Sequence, residues 1–152
     1  KKKYLIIKKC IKIYRNHKPR IKIYNDVRHF LEQNKKKSLY IISDGNVMVQ
    51  KKKVNSLKIK KYFKKIYLTR NYGTRNEKPS LFCFNKIKKR ENCNYRQMVY
   101  FGDNPLKDFK KIKKKRILTI RLMRGNHKNV NVSRVFDAEF KIKNFYSLKK
   151  II

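Results

Sequence analysis

Three places in the sequence set reactive side chains directly after stretches that read as strands. Ser43 closes the apolar run Leu39-Tyr40-Ile41-Ile42 and opens the turn-forming segment Ser43-Asp44-Gly45-Asn46. Lys78 stands in Glu77-Lys78-Pro79-Ser80, and Asp103 and Asp108 share Gly102-Asp103-Asn104-Pro105-Leu106-Lys107-Asp108. A hydroxyl, an ammonium and two carboxylates at one edge of a sheet suit a phosphate bound with Mg²⁺. The cation takes hard oxygen ligands, and Lys78 and Ser43 meet phosphoryl oxygens. Taken singly, Ser43 is an ordinary turn residue, Lys78 is one surface lysine among many, and Asp103-Asn104-Pro105 is a turn capped by Asp. Their order and their common placement at strand ends carry the signal.

The elements that must position these residues follow from hydrophobic spacing. Asp26 reads as an N-cap, with Val27, Phe30 and Leu31 at helical intervals as far as the polar run from Asn34 to Lys37. After the strand Leu39 to Ile42, a polar helix is expected from about Val47 to Leu57, then a second strand from Lys65 to Thr69. Pro79 reads as a helix start, with Leu81, Phe84 and Ile87 on one face up to about Arg90. Met98 to Phe101 forms a third strand. A helix carrying Leu106, Phe109 and Ile112 follows, then strands at Ile117 to Leu122 and Glu139 to Ile142. Apolar strands alternating with amphipathic helices predict an α/β fold, a parallel sheet covered by helices on both faces, with ligands at the carboxyl ends of the strands.

Composition narrows the class in other ways. The 152 residues suffice for one domain, and Lys and Arg outnumber Asp and Glu by 45 to 9. Lys, Asn, Ile and Tyr make up half the chain, and codons for all four can be built from A and T alone. Base composition thus accounts for much of the charge. With only nine acidic residues, two in one glycine-led loop are harder to ascribe to composition. No apolar stretch approaches the ~18 residues of a membrane span, and no signal-peptide core follows Lys1 to Lys3, so a soluble protein is expected. Cys10, Cys83 and Cys93 are odd in number and form no CxxC pair, which points to a reducing cytoplasm. Cys83 falls on the apolar side of its helix and reads as a core thiol.

The ordered set Ser43, Lys78-Pro79-Ser80 and Gly102-Asp103-Asn104-Pro105-Leu106-Lys107-Asp108-Phe109 resembles the second, third and fourth motifs of the haloacid dehalogenase-like hydrolase superfamily, in the subgroup with a helical cap. The last motif is the most specific. The resemblance covers roughly Ile21 to Leu148 and implies a Rossmann-like core. It implies a phosphatase that uses Mg²⁺ and an aspartyl-phosphate intermediate on a small phosphorylated substrate. Lys78 and Ser43 would be catalytic, and Ser43, Lys78 and the amides of Asp44 and Gly45 would bind phosphate. Asp103 would hold the metal, and Asp108 would be a second metal-site or an orienting carboxylate. The metal-free dehalogenase branch is the alternative within the family, and the carboxylate-rich loop favours the phosphatase.

Members of that family begin with a strand ending in Asp-x-Asp, which supplies the nucleophile and the general acid and base, and no Asp-x-Asp occurs here. Residues 1–17 then resemble the end of the cap and 18–152 the core lacking its first strand. With Lys1 rather than Met at the start, the expectation is the C-terminal part of a longer protein, inactive alone. A basic nucleic-acid-binding module is the reading from another class. The lysine runs at Lys35 to Lys37, Lys51 to Lys53 and Lys113 to Lys115 fall on different expected helices, however, which favours nonspecific polyanion binding at low salt.

Overall fold

A computed structural model describes residues 2–151. The helices are α1 (Lys2–Asn16), α2 (Asn25–Gln33), α3 (Val47–Leu57), α4 (Phe82–Glu91) and α5 (Lys110–Lys113), and the strands are β1 (Tyr40–Ser43), β2 (Lys65–Leu68), β3 (Val99–Gly102), β4 (Leu118–Leu122) and β5 (Phe140–Ile142). The order is that of an α/β chain. All strand pairs are parallel: Ile41 lies opposite Ile66 in β1 and β2, Phe101 opposite Ile120 in β3 and β4, and Leu122 opposite Ile142 in β4 and β5.

The expected sheet comes as two. β1 pairs only with β2, and β3, β4 and β5 form a second sheet in that order. Helices cover both. Tyr100 packs against Phe84 of α4, while its neighbour Phe101 packs against Phe30 of α2. Successive strand residues point to opposite faces, so α2 and α4 lie on opposite sides of β3. Buried Phe84, Ile112 and Ile117 form one core cluster, and Tyr67, Cys83 and Ile87 another; Ile42 and Met98 pack against both.

Several sequence expectations shift for local reasons. Asp26 is not the N-cap of α2: extended Tyr24 takes that place, and Asp26 sits buried in the first turn. It accepts from both Arg124 terminal nitrogens, at 3.0 and 2.5 Å, and from the Phe145 amide at 2.8 Å. A long-range ion pair has drawn it inward. Pro79 lies ahead of α4, which starts at Phe82. The helix expected around Leu106, Phe109 and Ile112 shrinks to four residues, because the Asp108 carboxylate binds the amides of Asp103 and Asn104 and so holds residues 103–108 as a turn. Phe109 and Ile112 are still buried, whereas Leu106 is exposed.

Two devices fix the loops around the strand ends. Arg121, buried in β4, donates to Asp137 and to the carbonyls of His127 and Val130, which ties the segment after β4 to the sheet. Lys52 of α3 donates to the carbonyls of Arg15 and Asn16 at the end of α1. Much of α1 otherwise shows its apolar residues to solvent, among them Leu5, Ile6 and Ile13. No described helix is long and apolar enough to cross a membrane.

Candidate active site

β1, β2 and β3 end at one edge, and the segments that follow them interlock there. The Lys78 ammonium lies 2.8 Å from Asp108 Oδ1 and donates to the Tyr100 hydroxyl at 3.2 Å; that hydroxyl in turn donates to Asp108 Oδ1 at 3.3 Å. The other oxygen, Oδ2, accepts from the Asp103 amide at 3.2 Å and the Asn104 amide at 3.0 Å. The Asp108 side chain is fully buried and that of Lys78 is 13% exposed. A buried carboxylate is tolerable only with such a complete set of partners. Gly102 makes the arrangement possible, since a Cβ there would stand 2.7 Å from Asp108 Oδ2. Burial, reinforced by the Asp108 carboxylate, pushes the Tyr100 phenol well above its ordinary range, so it stays a neutral donor.

Asp44 links the two sheets. Its Oδ1 accepts from the Thr69 hydroxyl at 2.9 Å and the Lys78 amide at 3.2 Å, and its Oδ2 lies 3.2 Å from the Lys107 ammonium. The carboxyl ends of β1 and β3 therefore face the same way. Gly45 has φ of 105°, a left-handed conformation that glycine adopts without strain, and its amide donates to Glu77 at 3.1 Å. That N–H already faces an anionic acceptor. Ser43 turns its hydroxyl to Gln50 Oε1 at 3.1 Å.

Lys78, Asp108 and Asp44 are thus joined directly, and Asp103 is joined through its amide. Ser43 makes no bond to any of them. Asp103 has a half-exposed side chain with Oδ2 3.2 Å from His127 Nδ1. Both oxygens of Asp108 are taken by donors, which is the geometry of an orienting carboxylate. Among the described residues no group of three or more His, Cys, Asp or Glu gathers for a metal. Asp103 fits Mg²⁺ nonetheless, because that ion uses one or two carboxylates and completes its shell with water and phosphate oxygens.

Tyr100, Thr69, Lys107, His127 and the Asp44 carboxylate go beyond the sequence reading. Tyr100 could have been suspected, as a polar-tipped residue inside a buried strand two positions before the glycine of the fourth motif. His127 left no trace; its carbonyl accepts from Arg121 and its ring reaches Asp103.

Comparison with known proteins bears on the family and the fold. The profile of the family described as Haloacid dehalogenase-like hydrolase matches residues 1–122. The chain is 28% identical over 114 residues to the glyceraldehyde 3-phosphate phosphatase of Methanocaldococcus jannaschii, covering 75% of this chain and 47% of that protein. It spans about half the length of this curated relative. Among solved structures, the haloacid dehalogenase-like protein ATU0790 of Agrobacterium tumefaciens superposes with a TM-score of 0.73 at 16% identity, over 96% of this chain and 67% of the other. The magnesium-bound HAD-hydrolase YfnB of Bacillus subtilis superposes with a TM-score of 0.70 at 19% identity, over 84% and 55%. These two likenesses establish the fold.

Proposed function

Since this chain belongs to the haloacid dehalogenase-like hydrolases, we propose that it is most of the core of a Mg²⁺-dependent phosphatase. It acts on a small phosphate ester through an aspartyl-phosphate, and the attacking carboxylate is not in this chain. Residues 1–17 are the end of a helical cap, and 18–152 are the core without its first strand.

The observation that carries the reading is the buried Lys78 and Asp108 pair. An ammonium has three N–H donors; Asp108 and Tyr100 take two, and one remains for a phosphoryl oxygen or the attacking carboxylate. Held by a buried carboxylate, that donor is fixed in advance of the reaction, which is how a preorganised charge stabilises a developing anion. Ser43 donates its hydroxyl to a phosphoryl oxygen on leaving Gln50, and the Gly45 amide does the same on release of Glu77. Asp108 positions Lys78. Asp103 holds the Mg²⁺, which when bound neutralises charge on the phosphoryl group.

A curated relative that is a glyceraldehyde 3-phosphate phosphatase supports a small phosphorylated substrate. The free thiols of Cys10, Cys83 and Cys93 support a reducing, cytoplasmic setting. The test is branch chemistry. A polypeptide in which an Asp-x-Asp strand and a cap precede this chain is given 4-nitrophenyl phosphate or 2-chloropropionate, with and without Mg²⁺. Mg²⁺-dependent phosphate release is expected. Metal-independent chloride release, with no phosphate release, would place the protein in the dehalogenase branch.

A further inference from the structure

Asp103 is held from two directions. Its amide donates to Asp108 Oδ2 at 3.2 Å, which fixes its backbone, and its own Oδ2 lies 3.2 Å from His127 Nδ1. A carboxylate oxygen only accepts, so Nδ1 carries the hydrogen and donates. The ring reaches this place through the main chain. In the register of β3 and β4, Arg121 lies opposite Gly102, the residue before Asp103. Buried Arg121 donates through Nη1 to both Asp137 oxygens at 3.2 Å, and through Nη2 to the carbonyls of His127 at 2.7 Å and Val130 at 2.8 Å. Gly125, with φ of 66°, takes a left-handed conformation at the start of the short turn Gly125–His127. The loop after β4 is thus pinned by its carbonyls, and the His127 ring is left to meet the loop after β3.

We propose that His127 is a positioning residue for the divalent cation: its Nδ1–H holds Oδ2 of Asp103, so that Oδ1 is the oxygen presented to the metal. This rests on Asp103 as the cation's carboxylate, the reading given under Proposed function. The Asp103 side chain is half-exposed, and without a partner it would spread over several rotamers. Among the described residues no hydrogen bond or ion pair engages its Oδ1. With the backbone fixed by Asp108 and one oxygen by His127, the carboxylate meets the cation in a single orientation, and the freedom it would lose on binding is already lost. Hydrogen bonds that orient a metal's ligands commonly change metal affinity by about 10- to 100-fold. Mg²⁺ takes oxygen ligands, so the ring stays outside the coordination shell. A half-exposed imidazole and carboxylate contribute little to folding, so the effect of the pair falls on metal affinity rather than on stability.

The test titrates the 152-residue chain with Mn²⁺ at about 150 mM salt, reads free Mn²⁺ by electron paramagnetic resonance, and repeats the titration with Mg²⁺ as competitor. His127→Ala should weaken binding of both ions at least ~10-fold. It should leave the melting temperature of the metal-free chain nearly unchanged, because Arg121 holds the backbone carbonyl of residue 127 and not its ring. His127→Asn, whose amide nitrogen stands at the same remove from Cα as Nδ1, should recover most of the loss. Asp103→Asn should abolish the binding. Spin-echo spectra of the Mn²⁺-loaded chain should show no directly bound nitrogen. Equal affinity in His127→Ala overturns the proposal, as does a loss that His127→Asn does not repair or that comes with a matching fall in metal-free melting temperature. A directly bound nitrogen that disappears in His127→Ala also overturns it, by making the ring a ligand. Saturable binding that Asp103→Asn abolishes and His127→Ala leaves alone sinks this inference while the cation site stands. No saturable binding at all sinks both.

Discussion

Asp108 holds the Lys78 ammonium at 2.8 Å with one oxygen and two backbone amides with the other, from a fully buried position. One carboxylate thereby sets the shape of the loop after β3 and the aim of a lysine delivered from the loop after β2. Local chain geometry and site electrostatics are the same interaction, so single substitutions should disturb both together.

Asp108→Ala leaves a largely buried ammonium and two backbone amides without their acceptor. It should lower stability by about 3–5 kcal/mol in urea titrations. Gly102→Ala drives a methyl into the Asp108 carboxylate, and overpacking at this close approach should cost about 1–3 kcal/mol. Tyr100→Phe removes one hydroxyl from the cluster and should cost about 1 kcal/mol. Equal, negligible effects in all three would show that the cluster does not hold the loop.

Acid should loosen the chain at identifiable places. The Glu91 carboxyl is held down at about 2 by the hydroxyls of Ser38 and Tyr40 and the ammonium of Lys64. For Asp26, burial alone would raise the value, but the Arg124 guanidinium and the Phe145 amide outweigh it and hold the carboxyl below its ordinary range. A carboxyl depressed in the folded state stabilises above its unfolded value and loses that contribution as pH falls through its folded value. The urea midpoint should therefore fall from about pH 4.5 down to about pH 2. Glu91→Gln should flatten the slope across that window, and an unchanged slope would remove Glu91 from the account.

Much of this was legible before any coordinates. Hydrophobic patterning bounded by turn residues located every strand to within a residue or two, most directly for β1, where the run Leu39 to Ile42 is continuously apolar. Cys83 is in the core as its helical position required. The departures come from polar contacts, one long-range and one local. Asp26 has the chemistry of a cap, but Arg124, distant in sequence, claims it. Asp108 unwinds the start of a helix that the spacing of Leu106, Phe109 and Ile112 implied. The division into two sheets has no local signature, since it reflects a pairing that does not form.

Millimolar Mg²⁺ should raise the melting temperature modestly, since a cation bound only by the folded state stabilises it. Asp103→Asn should abolish the rise. A shift that survives Asp103→Asn would move the cation away from this loop.

Charge makes a separate prediction. With a formal net charge of +36, the chain should bind heparin or any short DNA at low salt, with affinity falling steeply between about 50 and 200 mM. One nucleic-acid sequence or shape preferred at physiological salt would instead support a dedicated nucleic-acid-binding role.

Turnover of 4-nitrophenyl phosphate, compared between the 152-residue chain and a polypeptide that restores an Asp-x-Asp strand and a cap ahead of it, tests the central claim most directly. The short chain should be inactive, because Lys78, Ser43 and Asp103 position and neutralise a phosphate but none replaces the attacking carboxylate. The longer one should hydrolyse the ester with Mg²⁺, and Lys78→Ala in it should cost at least ~10²-fold in rate. Hydrolysis by the 152-residue chain alone at an enzymatic rate, lost on Asp103→Asn so that a contaminant is excluded, would contradict the account.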